Sequence, residues 1–313
     1  MCFQKTTQVY LRTVSLPDRT ISNLKPYPMK TIHLAQTAGF CMGVALALKK
    51  LDQALAGKKA HQHIVTQGPI IHNPQVLKYY QAKGVFECQS LDELNARTVV
   101  VIRAHGIPLD MQHAIQATGA TLVDATCPKV KKAQILIGKN SEQGRHLLLF
   151  GEKEHPEVKG LVSYAQNGFT VFESLQELET ILPHIAQPCF LAAQTTQDRE
   201  EFKTIQARLT NILGDIPVMD TICTATKERQ QEAIAIARQV DFMIVVGGKN
   251  SGNTRRLAQV AAATHTPCCH VECREEIPVK DLVSCRTIGL TAGASTPQHV
   301  INDIVMYVRQ LQA

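Results

Sequence analysis

Tryptophan is absent from the 313 residues, and all aromatics together make up 5%. A chain so poor in rings has little with which to stack unpaired bases, which argues against a single-strand nucleic-acid platform. No apolar run approaches the roughly 18 residues that a membrane helix needs. The longest, such as Val99–Ile102 and Phe242–Val246, have the length of buried strands. The first 28 residues contain no apolar stretch of the kind a secretory signal requires. Dense charge of one sign is missing too. The net charge is +6, and the one compact basic run is Lys129, Lys131 and Lys132, less concentrated than in most nucleic-acid binders. There is no Gly-X-Y period and no disulfide-scaffold density of cysteine. These absences point to a cytoplasmic protein with no nucleic-acid and no membrane partner. The mild basicity is compatible with a phosphate-bearing substrate.

What is present is an ordinary globular composition, 44% hydrophobic and 19% charged, in a chain whose length predicts about two domains at roughly 150 residues each. It holds ten cysteines. In a reducing compartment these read as ligands, nucleophiles or core residues rather than bridges. Residues 1–28 carry Lys5, Arg12, Arg19 and Lys25 against Asp18 alone, with six Ser or Thr. The segment loosely resembles a transit peptide, but it reads more simply as an unstructured extension or a start placed too early, with a strand opening at Met29.

Apolar runs alternate with helical patterns, the signature of parallel α/β architecture. Strands are expected at Thr31–Ala35, Val99–Arg103, Ala120–Val123, His146–Phe150, Cys189–Ala193, Phe242–Val246 and Thr287–Leu290. Helices are expected at Val44–Leu55, Asp92–Asn95, Glu200–Leu213 and Glu228–Gln239. An internal repeat runs through this pattern. Cys41, Cys127 and Cys223 each fall where a strand ends and a helix begins, 86 and 96 residues apart. A second marker follows each: Val85-Phe-Glu87, Val171-Phe-Glu173 and His270-Val-Glu272, at offsets of 44, 44 and 47. Two tracks in one phase replace the two domains suggested by length with three. The division is 1–28 as extension, then α/β repeats at 29–126, 127–222 and 223–313, arranged about a pseudo-threefold axis. The first strand is expected to pair with the third repeat.

Ligands of parallel sheets sit beyond the carboxyl ends of the strands, where each repeat places one cysteine. A helix N-terminus favours negative charge and lowers a thiol pKa, and Pro128 suits the first helical position after Cys127. Three such thiolates around one axis make a metal site. Thiolates favour zinc or iron–sulfur clusters. A structural zinc wants four ligands, whereas a cubane cluster on three cysteines leaves one iron open to substrate. Cys2, Cys88, Cys189, Cys268, Cys269, Cys273 and Cys285 read as small buried hydrophobes.

Other strand ends carry groups suited to a small anion. His72-Asn73-Pro74 and Arg103-Ala-His105-Gly106 supply imidazoles, each of which also fits a purely structural histidine. In Gly247-Gly-Lys-Asn-Ser-Gly-Asn-Thr254, glycines permit close backbone approach, and Ser251, Asn253 and Thr254 donate to phosphate oxygens. Thr291 to Ser295 is a similar small-residue turn. In Gly151-Glu-Lys-Glu-His155-Pro-Glu157, the imidazole and carboxyl suit polarisation and proton transfer, although a carboxylate in such a loop also fits a solvated surface.

Taken together, Ala38-Gly-Phe-Cys-Met-Gly-Val44, Ile71-His-Asn-Pro74, Arg103-Ala-His-Gly106, Asp124-Ala-Thr-Cys-Pro128, Gly151 to Gly160, Gln194-Thr-Thr196, Thr221-Ile-Cys223 with Ala225-Thr226 and Arg229-Gln230, Gly247 to Thr254 and Thr291 to Pro297 resemble the 4-hydroxy-3-methylbut-2-enyl diphosphate reductases of the non-mevalonate (MEP) isoprenoid pathway. The resemblance runs from about Met29 to beyond Ser295. It implies a trefoil-like fold around a [4Fe–4S] cluster, with Cys41, Cys127 and Cys223 as ligands. It also implies diphosphate binding by His72, His105, Ser251, Asn253 and Ser295, with His155 lining the pocket, Glu157 donating a proton and Thr195 orienting the hydroxyl. The reaction implied is loss of that hydroxyl as water, giving isopentenyl and dimethylallyl diphosphate with electrons from ferredoxin or flavodoxin. Gly252 departs from the pattern. Many members have a second serine there, so one donor is lost or replaced by a backbone N–H.

Three other readings compete. A quinolinate-synthase-like dehydratase also has three repeats and three cluster cysteines, but the Asn250 to Asn253 loop, the His155/Glu157 pair and Gln194-Thr-Thr196 argue against it. A non-catalytic iron–sulfur sensor would need none of those groups. A zinc hydrolase is disfavoured because three thiolates make a poor hydrolytic zinc site.

Overall fold

The computed structural model describes residues 30–311; the segment 1–28, read above as an extension, lies outside the described residues together with Met29. The chain opens with β1 (Thr31–Leu34) and α1 (Met42–Ala56). A first sheet then holds β2 (His63–Gln67), β3 (Phe86–Glu87), β4 (Thr98–Ile102) and β5 (Thr121–Asp124), with α2 (Pro74–Ala82) and α3 (Leu109–Ala117) between strands. After α4 (Pro128–Ser141), a second sheet contains β6 (His146–Phe150), β7 (Phe169–Phe172) and β8 (Cys189–Ala193), with α5 (Pro156–Val162), α6 (Leu175–Ile181) and α7 (Arg199–Leu213). After α8 (Thr224–Ala237) come β9 (Phe242–Val246), α9 (Gly252–Ala262), β10 (Cys268–Val271), α10 (Val279–Leu282), β11 (Thr287–Ala292) and α11 (Gln298–Gln310).

The three sheets have one plan. Their orders are β3-β2-β4-β5, β7-β6-β8 and β10-β9-β11-β1, and every strand pairing is parallel. In the second sheet the fourth position is reduced to one parallel bridge, Leu191 with Val218. In each sheet the first-listed edge strand carries or adjoins the second repeat marker, and the segment at the opposite edge leads into a cysteine: β5 into Cys127, the Val218 bridge into Cys223, β1 into Cys41. β1 lies against β11, with Thr31 beside Thr287.

Burial explains which strands the sequence announces. β4, β8 and β9 are buried at all five positions, so they read as unbroken apolar runs. The ranges expected for β6, β8 and β9 match those observed. Edge strands β3, β7 and β10, and the mixed His-Ile-Val-Thr-Gln of β2, lack that signature and go unannounced. The expected helix Asp92–Asn95 is instead a single 3₁₀ turn at Leu91–Glu93, because β4 already begins at Thr98. The helix expected at Glu228–Gln239 starts earlier, at Thr224, directly after Cys223.

Candidate active site

The carboxyl ends of all three sheets face one cavity of about 740 Å³, its open mouth included, and Cys41, Cys127 and Cys223 all line it. Each cysteine occupies the N-cap position of the helix that follows, α1, α4 or α8. Gly43 shows how tightly the repeats approach, since a Cβ there would run into Cys127 Sγ. All three thiols are free of disulfides and partly exposed. Among the described residues, no three His, Cys, Asp or Glu side chains close on a single metal ion. The cysteines ring the cavity instead of meeting in it, which fits a polynuclear cluster better than one tetrahedral ion.

The expected lowering of the thiol pKa by the helix N-terminus does not hold for Cys127. Burial pushes its thiol up, outweighing the opposing pull of the Lys129 and Val130 amides. Desolvation of a thiolate costs more here than a helix end returns, and a bound metal would supply the missing positive charge.

Glu157 and Thr195 form the second part of the site. Glu157 lies in the first turn of α5 and is 1% exposed. The Thr195 backbone N–H donates to one carboxyl oxygen at 2.6 Å, and its hydroxyl to the other at 2.9 Å. Burial raises this carboxyl to about 7 despite both hydrogen bonds. A group poised there is suited to give up a proton near neutral pH.

His72, His105 and His155 form the third part, an imidazole cluster. Ring centroids are 5.1 Å apart for His72 and His105, and 5.2 Å for His105 and His155. Burial, reinforced by neighbouring positive charge, lowers His72 and His155 to about 4 and holds His105 well below the ordinary imidazole value. All three are therefore neutral at pH 7. The Glu157 backbone N–H donates to His155 Nδ1 at 3.1 Å, which leaves the ring proton on Nε2. His155 is not on the wall of the cysteine cavity; it lines an adjoining pocket with Glu152 and Arg255, and His72 borders both.

The third sheet contributes hydroxyls and an amide. Ser251 caps α9, while Ser251, Asn253 and Ser295 line the cavity. Ser295 Oγ donates to the His72 carbonyl at 3.3 Å and lies 3.5 Å from Ser251 Oγ. Asn253 Nδ2 and His105 Nδ1 are buried without a partner. An orphaned buried polar atom costs about 1–3 kcal/mol, so both atoms fit a cavity built for a polar ligand. Gly252 is buried in the first turn of α9 but off the cavity wall, and a Cβ there would stand 3.3 Å from His155 Nε2. Its absence lets that ring approach the helix end.

The cavity wall also includes Thr196, Thr226 and Arg229, which stood in motifs carrying the resemblance without a role of their own, and Lys129 of the basic run. Thr226 and Arg229 follow Cys223 at successive offsets of three on one helix, and that spacing was the available signal.

Residues 32–309 match the model of the LytB protein family. Two curated relatives, both called 4-hydroxy-3-methylbut-2-enyl diphosphate reductase, come from Nitratidesulfovibrio vulgaris (strain DP4) and Solidesulfovibrio magneticus. The first is 54% identical over 285 residues, covering 88% of this chain and 98% of the relative. The second is 56% identical over 275 residues, covering 86% and 96%. A solved structure of (E)-4-hydroxy-3-methyl-but-2-enyl diphosphate reductase, titled the terminal enzyme of the non-mevalonate pathway, is 36% identical with a TM-score of 0.66, covering 90% of this chain and 100% of that one. A structure of the Plasmodium falciparum reductase is 25% identical with a TM-score of 0.82, covering 89% and 88%.

Proposed function

The chain belongs to the LytB protein family, and from that premise we propose how its residues perform the reductive dehydroxylation of (E)-4-hydroxy-3-methylbut-2-enyl diphosphate to isopentenyl and dimethylallyl diphosphate. The observation that carries the reading is a buried carboxyl, raised by burial to about 7, in the cavity that three cysteines line.

Cys41, Cys127 and Cys223 would hold a [4Fe–4S] cluster. When bound, that cluster supplies electrons and a Lewis-acidic open iron for the substrate hydroxyl. The rest falls to the protein. Ser251, Asn253 and Ser295 donate to the diphosphate, with neutral His72 and His105 completing the cradle. His155 backs the cradle, and its Nε2–H faces the α9 N-terminus. Neutral imidazoles bind as oriented donors, so the excess charge of the diphosphate falls on nearby Arg103 and Arg255, whose fields reach His72 and His155. Thr195 holds Glu157 through both carboxyl oxygens, and its hydroxyl is placed to orient the substrate hydroxyl. Glu157 protonates the departing oxygen, so water leaves instead of hydroxide. Two electrons and two protons balance the loss of one hydroxyl as water. The electrons are assigned to ferredoxin or flavodoxin in the cytoplasm. Among the described residues no helix is long and apolar enough to cross a membrane.

The test is anaerobic purification with iron, sulfide and zinc analysis, followed by assay of both products from the diphosphate substrate with a reduced donor. Iron and sulfide with both products are expected. Zinc in place of iron and sulfide would overturn the cluster assignment, and a loaded protein that converts no substrate would overturn the reaction.

A further inference from the structure

Arg229 is 4% exposed and borders the cysteine cavity. Its guanidinium makes two hydrogen bonds, both to backbone carbonyls: Nη1 donates to Ala292 O at 2.5 Å and Nη2 to Gly39 O at 3.0 Å. Among the described residues it forms no ion pair. The neighbouring carboxylate, Glu232, is occupied with the backbone N–H groups of Gln36 and Thr37 and the Thr37 hydroxyl, at 2.5–2.9 Å. A buried cation without an anionic partner is costly. Burial works against the charged form of Arg229, while Cys41, Glu232 and Cys223 favour it; of these three, the two cysteines line the cavity.

The two carbonyls are informative in themselves. Gly39 lies two residues before Cys41, and Ala292 ends β11 three residues before Ser295. The Cys41 backbone N–H donates to Ala294 O at 3.2 Å. One guanidinium on the helix that Cys223 caps therefore ties together the loop bearing Cys41 and the turn bearing Ser295, while Glu232, one turn along α8, grips the start of the Cys41 loop.

We propose that Arg229 is the internal counterion and positioning residue of the thiolate-held centre, seating Cys41 relative to Cys223 and easing electron uptake. The inference rests on the three-cysteine reading above. A centre bound by three thiolates becomes more negative with each added electron, so a fixed adjacent cation favours the reduced form.

The experiment compares wild type, Arg229→Lys and Arg229→Gln, each reconstituted with iron and sulfide. Iron and sulfide are quantified, and the cluster is titrated anaerobically with dithionite under spectroscopic observation. Arg229→Gln is expected to shift the one-electron reduction equilibrium about tenfold toward the oxidised form, equivalent to about 59 mV. Arg229→Lys, which keeps the charge, is expected to remain within threefold of wild type. A fully loaded Arg229→Gln protein with the wild-type potential overturns the proposal. If Arg229→Gln does not retain the cluster, Arg229→Lys decides: a loaded protein near the wild-type potential supports the counterion, and loss of the cluster there too overturns it in favour of shape alone. Zinc or no cluster in the wild type would instead mean that the three-cysteine reading has failed.

Discussion

Replacing Thr195 with valine deletes one hydrogen bond to Glu157, the proposed proton donor, and leaves its partner bond in place. The hydroxyl lies 2.9 Å from one Glu157 oxygen, while the Thr195 backbone N–H keeps the other at 2.6 Å. A hydrogen bond to a charged group contributes about 1.5–3 kcal/mol, and each pKa unit corresponds to about 1.36 kcal/mol. The lost bond stabilises the carboxylate, so its removal favours the protonated acid. Glu157, at about 7 in the wild type, should hold its proton to a pH higher by roughly one to two. The assay is the pH dependence of kcat/KM with a reduced donor. The falling limb should lie near pH 7 in wild type and Thr195→Ser, and clearly higher in Thr195→Val, whatever the drop in absolute rate. A limb that stays in place or moves to lower pH in Thr195→Val would refute the pairing of this hydroxyl with the proton donor.

Glu157→Gln should retain the cluster and bind the diphosphate substrate yet turn over slowly, which single-turnover measurements can resolve; wild-type turnover would end the acid role. The same variant has a stability signature. The folded carboxyl sits above its unfolded value, so its contribution is present at low pH and lost as pH rises from about 4.5 through about 7, by about 3 kcal/mol in total. Denaturation midpoints of apoprotein should therefore fall less steeply with pH in Glu157→Gln than in wild type. Cys127→Ser should abolish iron and sulfide content, whereas Cys88→Ser and Cys285→Ser, whose thiols donate to the carbonyls of Ser90 and Asp281, should keep it. Gly252→Ser should raise KM several-fold with less effect on kcat, since its Cβ would press on His155 Nε2 from 3.3 Å; an unchanged KM would show that the ring yields freely.

Much of this was legible in the chain because two periodic tracks carry it. Cys41, Cys127 and Cys223 recur at strand-to-helix junctions, and the second marker recurs at the edge strands. The fully buried strands β4, β8 and β9 were plain because burial on both faces writes a continuous apolar run. The edge strands β3, β7 and β10 were not, since Phe86 and Phe169 are exposed and β10 reads Cys-Cys-His-Val. Electrostatics was the least legible part. Nothing in the local sequence says that burial outweighs the helix end at Cys127, or that three histidines from separate loops share one neutral cluster. The role of Arg229 depends on carbonyls 190 residues before it and 63 after it.

The pairing of Thr31 with Thr287 sets an order of events during synthesis. A ribosome releases β1 first and β11 nearly last, so the strand that delivers Cys41 waits for almost the whole chain before its sheet exists. Until then a nascent chain offers an assembly machinery two of the three cysteines on completed sheets and the third on an unpaired segment. If the three cysteines hold the proposed cluster, its delivery would in this sense check completeness: a chain halted before β11 lacks the strand that pairs with β1 and the turn that bears Ser295.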